Sequence, residues 1–124
     1  NKLRLDLPIL LPEVTDAADR CVDRLISEMR GREGVETAHV VTAQDGQTAQ
    51  FCIHFDPDVL PLPRIRELVT AAGASISERF GHATWRLDIA HERRARTIAE
   101  TLRAVPGVLE AEASAGGTVR VEFD

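Results

Sequence analysis

The sequence predicts an α+β fold in which strands and helices follow one another in the order βαββαβ. Leucines alternate with polar residues over positions 3–7, which is the period of a half-buried strand. Apolar residues then recur at helical spacing between positions 18 and 29. Further along, Asp45-Gly46 separates two segments of alternating apolar residues, which is the pattern of a β-hairpin.

The first half of this pattern is a strand followed by a helix. We predict that the strand runs from Leu3 toward Leu11 until prolines bend or end it. Thr15 or Asp16 is predicted to cap the helix, which stops before Gly31. The apolar stripe of this helix consists of Ala18, Cys21, Val22, Leu25 and Met29.

The second half is a hairpin, a helix and a strand. The hairpin strands are 35–41 and 51–55, and the second helix ends with Gly73 as its C′ residue. The apolar face of that helix consists of Ile65, Leu68, Val69 and Ala72. A fourth strand over 75–80 completes the order βαββαβ in about 80 residues, which is a ferredoxin-like sandwich with both helices on one face of an antiparallel sheet.

The rest of the chain repeats part of this pattern. The Gly-Val at 34–35 recurs at 107–108, and the Phe-Asp at 55–56 recurs at 123–124. The second copy has a strand with Trp85, Leu87 and Ile89, a helix with Ala95, Ile98, Leu102 and Val105, and a hairpin at Gly116-Gly117.

We therefore predict one complete ferredoxin-like domain, residues 1–82, and a partial second copy with the order βαββ, residues 83–124. The second copy lacks a final helix and strand. We expect the chain to be a fragment of a longer protein, and we expect a dimer or crystal contact to cover the open half of the second sheet.

Composition excludes several classes of function. The chain has 15 Lys+Arg against 20 Asp+Glu, a net charge of −5, and is 4% aromatic. Nucleic-acid binding requires surplus cations and, for single strands, aromatic stacking surfaces, so we exclude it. No apolar run approaches the roughly 20 residues that cross a bilayer, and no secretory signal is visible. With two cysteines, the pattern favours a cytoplasmic protein with reduced thiols.

Three segments resemble the heavy-metal-associated domain of copper chaperones and of the N-terminal tails of heavy-metal P-type ATPases. They are Gly34-Val35 after the first helix, Phe55-Asp56-Pro57 after the third strand, and the second helix from Ile65 to Gly73. In that family a Gly-Met-x-Cys-x-x-Cys loop opens the first helix and holds the metal. The resemblance covers one and a half copies of the domain.

The metal loop itself departs from the family pattern. Its second cysteine position falls on Cys21, but its first falls on Ala18. The same two positions in the second copy are His91 and Arg94. Cys21 is therefore the residual family ligand, and the alternative interpretation is a small apolar residue of the helix stripe.

The resemblance implies a cytoplasmic module of an ATPase that resides in the cell membrane and exports zinc, cadmium or copper. Such a module has no catalytic role. Because its cysteine pairs are absent, we expect it to bind metal weakly, or to regulate transport by docking against other domains of the ATPase.

A second candidate metal site follows from the hairpin register. If Asp45-Gly46 forms the turn, His39 faces Cys52 across the hairpin and His54 lies beside Cys52 on the same face, away from the helices. Imidazole and thiolate together suit zinc or a similar divalent ion. The alternative is an exposed face that carries these residues without a ligand. In the second copy the same face carries a charge ladder, Glu112, Arg120 and Glu122.

Two functions of other classes use the same fold. Paired ferredoxin-like modules can act as a regulatory sensor of small molecules, which would dimerise more tightly with a metabolite bound. An acylphosphatase-like enzyme needs an Arg and an Asn at defined loop positions. The only Asn in this chain is Asn1, which weighs strongly against that enzyme.

Overall fold

The protein is an α+β structure with two three-stranded antiparallel sheets. The computed structural model describes residues 1–14, 17–42, 48–88 and 91–124. The chain divides into two compact units, Asn1–Glu78 and Arg79–Asp124. Within the described ranges, no helix has both the length and the apolar character needed to cross a membrane.

The first unit contains a sheet in which β3 is the central strand, flanked by β1 and β2. Its elements are β1 (Lys2–Asp6), α1 (Leu7–Leu10), α2 (Arg20–Arg30), β2 (Val35–Val41), β3 (Gln50–Phe55) and α3 (Leu62–Arg79), the last of which ends one residue inside the second unit. Leu3, Ile53 and Ala38 lie side by side across the three strands and are all buried. One face of the sheet therefore forms the core, where α2 packs on β2.

The first strand and the long helix after it, β1 and α2, differ from the predicted bounds. β1 stops at Asp6 because Pro8 lies in the first turn of α1, where a proline is well tolerated. α2 begins at Arg20, since the Asp19 carboxylate accepts a hydrogen bond from the backbone N–H of Cys21 at 2.8 Å and caps the helix. The predicted capping residues, Thr15 and Asp16, lie outside the described residues.

The fourth strand predicted for 75–80 is wrong, because α3 continues through this segment to Arg79. Gly73 lies inside α3 and is buried, so it does not end the helix. A Cβ at this position would lie 2.6 Å from the carbonyl oxygen of Leu10. The glycine therefore allows α3 to approach the Leu10 backbone closely, at a cost of about 1 kcal/mol in helix propensity. The described part of the first unit has three strands where the prediction has four.

The second unit has the order β-α-β-β. Its elements are β4 (Gly81–Arg86), α4 (Glu92–Arg103), β5 (Val108–Ala113) and β6 (Thr118–Phe123). β6 is the central strand, and the hairpin that joins β5 to β6 turns at the predicted Gly116-Gly117. The core consists of Ala95, Ala111, Val119 and Val121. β4 ends before Leu87, earlier than predicted, and Ile89 lies outside the described residues.

In each unit, a glycine with positive φ lies between a helix and the first strand of the hairpin, after α2 in the first unit and after α4 in the second. Gly34 and Gly107 have φ angles of 93° and 89°, a conformation that glycine adopts without steric cost. The carbonyl of Gly34 accepts a hydrogen bond from Asp56 N–H, and the carbonyl of Gly107 accepts one from Asp124 N–H, both at 2.9 Å. A register shift follows each glycine in the first hairpin strand. The two hairpins thus share their start, their end and their bulge.

Candidate metal centre

Three potential metal ligands lie on the face of the first sheet that points away from the core. β2 and β3 pair so that His39 lies directly opposite Cys52, while His54 lies two residues along β3 on the same face. The intervening core positions, Ala38 and Ile53, are 0% exposed. The pairing is the predicted one, although the turn from which it was predicted, Asp45-Gly46, lies outside the described residues.

The ligand atoms of these three residues are close together. The distance from Cys52 Sγ to His54 Nε2 is 3.8 Å. The His39 and His54 rings stack with their centroids 5.7 Å apart and their planes at 22°. One ligand atom from each residue lies within 4.8 Å of the other two. Tetrahedral zinc separates a sulfur and a nitrogen ligand by roughly 3.6 Å, so the side chains need only small rotations to meet one ion.

Burial differs among the three residues. Cys52 is 1% exposed, His54 is half-buried and His39 is exposed. The sulfur therefore lies at the closed side of the cluster and the His39 imidazole at the solvent side. An ion held by these residues would have three protein ligands and one coordination position open to solvent, which differs from the closed four-ligand arrangement of structural zinc sites.

Two cationic residues beside the cluster, Lys2 and Arg4, were missed by the sequence prediction. In the β1–β3 register Arg4 lies opposite Cys52 and Lys2 lies opposite His54, so both occupy the face that carries the ligands. The hairpin pattern alone does not show which strand flanks β3 on its other side. The available signal was the alternation of β1, which places both basic residues on the polar face of that strand.

The matching positions of the second unit carry charged residues. Glu112 lies opposite Arg120 in the β5–β6 pair, and Glu122 follows Arg120 on the same face of β6. These positions correspond to His39, Cys52 and His54. The hairpin therefore forms with a charge ladder as well as with a His/Cys cluster, so its geometry does not depend on the His/Cys residues.

The family loop positions do not contribute to this cluster. Cys21 lies on α2, is 1% exposed, and has its Sγ 3.4 Å from the Arg24 Nη1 that donates a hydrogen bond to it. His91 caps α4, and its Nδ1 accepts a hydrogen bond from the backbone N–H of Arg94 at 3.3 Å. Cys21 as a metal ligand stays a prediction.

Two solved structures match the chain, at very different levels of similarity. No protein-family model and no curated protein matches it. The solution structure of the N-terminal soluble domains of Bacillus subtilis CopA is 21% identical, with a TM-score of 0.43, and the match covers 100% of this chain and 78% of that one. The N-terminal extension of Cupriavidus metallidurans CzcP is 59% identical, with a TM-score of 0.92, and the match covers 100% of this chain and 85% of that one. The chain therefore belongs to the same family as the N-terminal extension of CzcP.

Proposed function

We propose that the chain is an N-terminal module of a heavy-metal-transporting P-type ATPase and that it binds a divalent ion such as zinc through His39, Cys52 and His54. The observation that carries this proposal is the convergence of three ligand atoms within 4.8 Å of one another. The likeness to the N-terminal extension of CzcP supports an N-terminal position for the module. The sequence resemblance to heavy-metal-associated domains supports a role in metal binding.

The ligand chemistry favours borderline divalent metals. One thiolate and two imidazoles suit zinc, cadmium and cobalt, whereas magnesium and calcium prefer oxygen ligands. A linear copper(I) site of the kind found in the heavy-metal-associated family needs two sulfur ligands. The His39, Cys52 and His54 cluster has a single sulfur. We therefore expect the module to prefer zinc, cadmium or cobalt over copper(I).

An open coordination position suits reversible binding. The solvent-side His39 can release and recapture the ion without unfolding the sheet, because it lies on an exposed strand position. In the proposed role the module reports the metal concentration on the cytoplasmic side and regulates transport through contacts with other domains of the ATPase. It takes no part in the chemistry of ATP hydrolysis.

We also propose that the two units are degenerate copies of one domain, with the boundary near residue 82. The matched glycines, Gly34 and Gly107, and the matched aspartate hydrogen bonds support this proposal. Only the first copy then carries the metal cluster, so we expect the second copy to contribute packing or docking surface.

Zinc titration of paired histidine variants tests the metal site. His39→Asn removes a proposed ligand, and we expect it to weaken zinc binding by at least about tenfold. His91→Asn is the matched control, because an asparagine can still cap α4 through its side-chain oxygen. Equal zinc affinity in the wild type and His39→Asn would contradict the proposal.

The parent protein is tested separately by the coding sequence downstream of Asp124. A series of apolar helices followed by an Asp-Lys-Thr-Gly segment is expected for a P-type ATPase. A stop codon within one further helix and strand would contradict the ATPase assignment without affecting the metal site.

A further inference from the structure

Two cationic side chains border the His39, Cys52 and His54 cluster on its β1 side. Arg4 lies opposite Cys52, Lys2 lies opposite His54, and both are exposed. Side chains of directly opposed residues begin about 4.5–5.5 Å apart at their Cβ atoms. The Arg4 guanidinium can therefore reach over the small Cys52 side chain toward the open position of the cluster.

The charges around the cluster leave a positive surplus once metal is bound. A divalent ion with one thiolate and two neutral imidazoles keeps one net positive charge, and Arg4 and Lys2 add two more. The carboxylate on the same face of β1, Asp6, lies one pair further along and accepts a hydrogen bond from Gln50 Nε2 at 3.2 Å. Water as a fourth ligand would leave this surplus in place, whereas an anion would offset part of it.

We propose that the metal held by this cluster takes a small anion from solution as its fourth ligand and that Arg4 holds the anion through charge-assisted hydrogen bonds. This inference rests on the proposed metal site. The ligand is a monodentate anion, either a halide or a small carboxylate, because the guanidinium donates to both and both bind divalent zinc or cobalt. Metal affinity at this site then depends on which anion is present.

Cobalt absorption of the full chain provides the test. The Co²⁺-loaded protein is titrated with sodium chloride or sodium acetate, with sodium perchlorate keeping the ionic strength constant. His39→Asn identifies the part of the spectrum that comes from the cluster. We expect a saturable change in the cobalt d–d bands with chloride or acetate, no such change with perchlorate, and a higher Co²⁺ affinity in the coordinating anion.

The Arg4→Gln variant tests the role assigned to the guanidinium. We expect it to weaken anion binding by about two- to fivefold, the upper part of the range measured for exposed charge pairs. Arg66→Gln, on the exposed surface of α3, is the matched control and should bind the anion as the wild type does.

The outcomes separate the two proposals. If the Co²⁺ spectrum of the wild type contains no band that is missing from His39→Asn, the metal site itself is contradicted. If Co²⁺ binds the cluster but chloride and acetate leave the spectrum unchanged, or if Arg4→Gln binds the anion as tightly as the wild type, the anion proposal is overturned and the metal site stands.

Discussion

His39 and Cys52 lie directly opposite each other on β2 and β3. The second unit places Glu112 opposite Arg120 at the matching position of a hairpin with the same bulge and the same flanking glycine. The backbone frame is thus shared, and the side chains alone decide whether this face presents metal ligands or a charge ladder. The ligand predictions therefore concern side-chain chemistry that the fold leaves free to vary.

Replacing Cys52 with serine removes the only sulfur of the cluster. We expect the Cys52→Ser variant to lose the thiolate-to-cobalt charge-transfer band. We also expect it to bind zinc at least about 100-fold more weakly, because mutating residues that only support the ligands already lowers metal affinity by about 10–100-fold. The measurement is near-ultraviolet absorption of the Co²⁺ complex together with competitive zinc titration. Persistence of the charge-transfer band in Cys52→Ser would assign the sulfur ligand to a different residue.

Metal affinity should fall as the solution is acidified. Protons compete with the metal for the imidazole nitrogens and for the sulfur, so each ligand that must lose a proton steepens the dependence. We expect zinc affinity measured between about pH 8 and pH 6 to decrease monotonically. The His39→Asn variant, with one competing imidazole fewer, should show a shallower slope. Parallel slopes for the two proteins would exclude His39 from the ligand set.

The predictable part of the fold is the part governed by local periodicity. The alternation in β3 and the hairpin pattern give the register that brings His39 to Cys52. The 75–80 segment shows where periodicity fails, because its apolar residues fit a strand as well as a continuing helix. In the structure α3 also packs closely against the Leu10 backbone at Gly73, a tertiary contact that no local pattern contains.

Burial of the candidate site is a second feature beyond the reach of sequence. Cys52 lies on the polar face of its strand but is 1% exposed, and its two flanking strands place Arg4 and His39 directly opposite it. The strand order that puts Arg4 among those neighbours is a property of the whole sheet. The ligands could be predicted from one hairpin, whereas their electrostatic surroundings required the third strand.

Two of the glycines with positive φ, Gly107 and Gly34, should respond differently to alanine. At Gly107 the nearest atom to an added Cβ is 3.9 Å away, so Gly107→Ala incurs only the backbone cost of about 1 kcal/mol. At Gly34 the added Cβ would lie 2.9 Å from Leu60 Cβ and 3.1 Å from Val59 Cγ1. We expect Gly34→Ala to lower the free energy of unfolding by about 2–4 kcal/mol, which urea unfolding monitored by circular dichroism measures. Equal losses would show that the Val59 and Leu60 side chains move aside freely.

Gly73 provides a test in which helix propensity and packing predict opposite signs. Alanine inside a helix is favoured over glycine by about 1 kcal/mol, so propensity alone predicts that Gly73→Ala stabilises the protein. The added Cβ would, however, lie 2.6 Å from the Leu10 carbonyl oxygen, and a backbone atom cannot rotate away as a flexible side chain can. We expect net destabilisation by about 1–3 kcal/mol in urea unfolding. Ala74→Gly, at the adjacent exposed position of α3, is the control and should lose about 1 kcal/mol through propensity alone. A rise in the free energy of unfolding for Gly73→Ala would mean that α3 and Leu10 separate without cost.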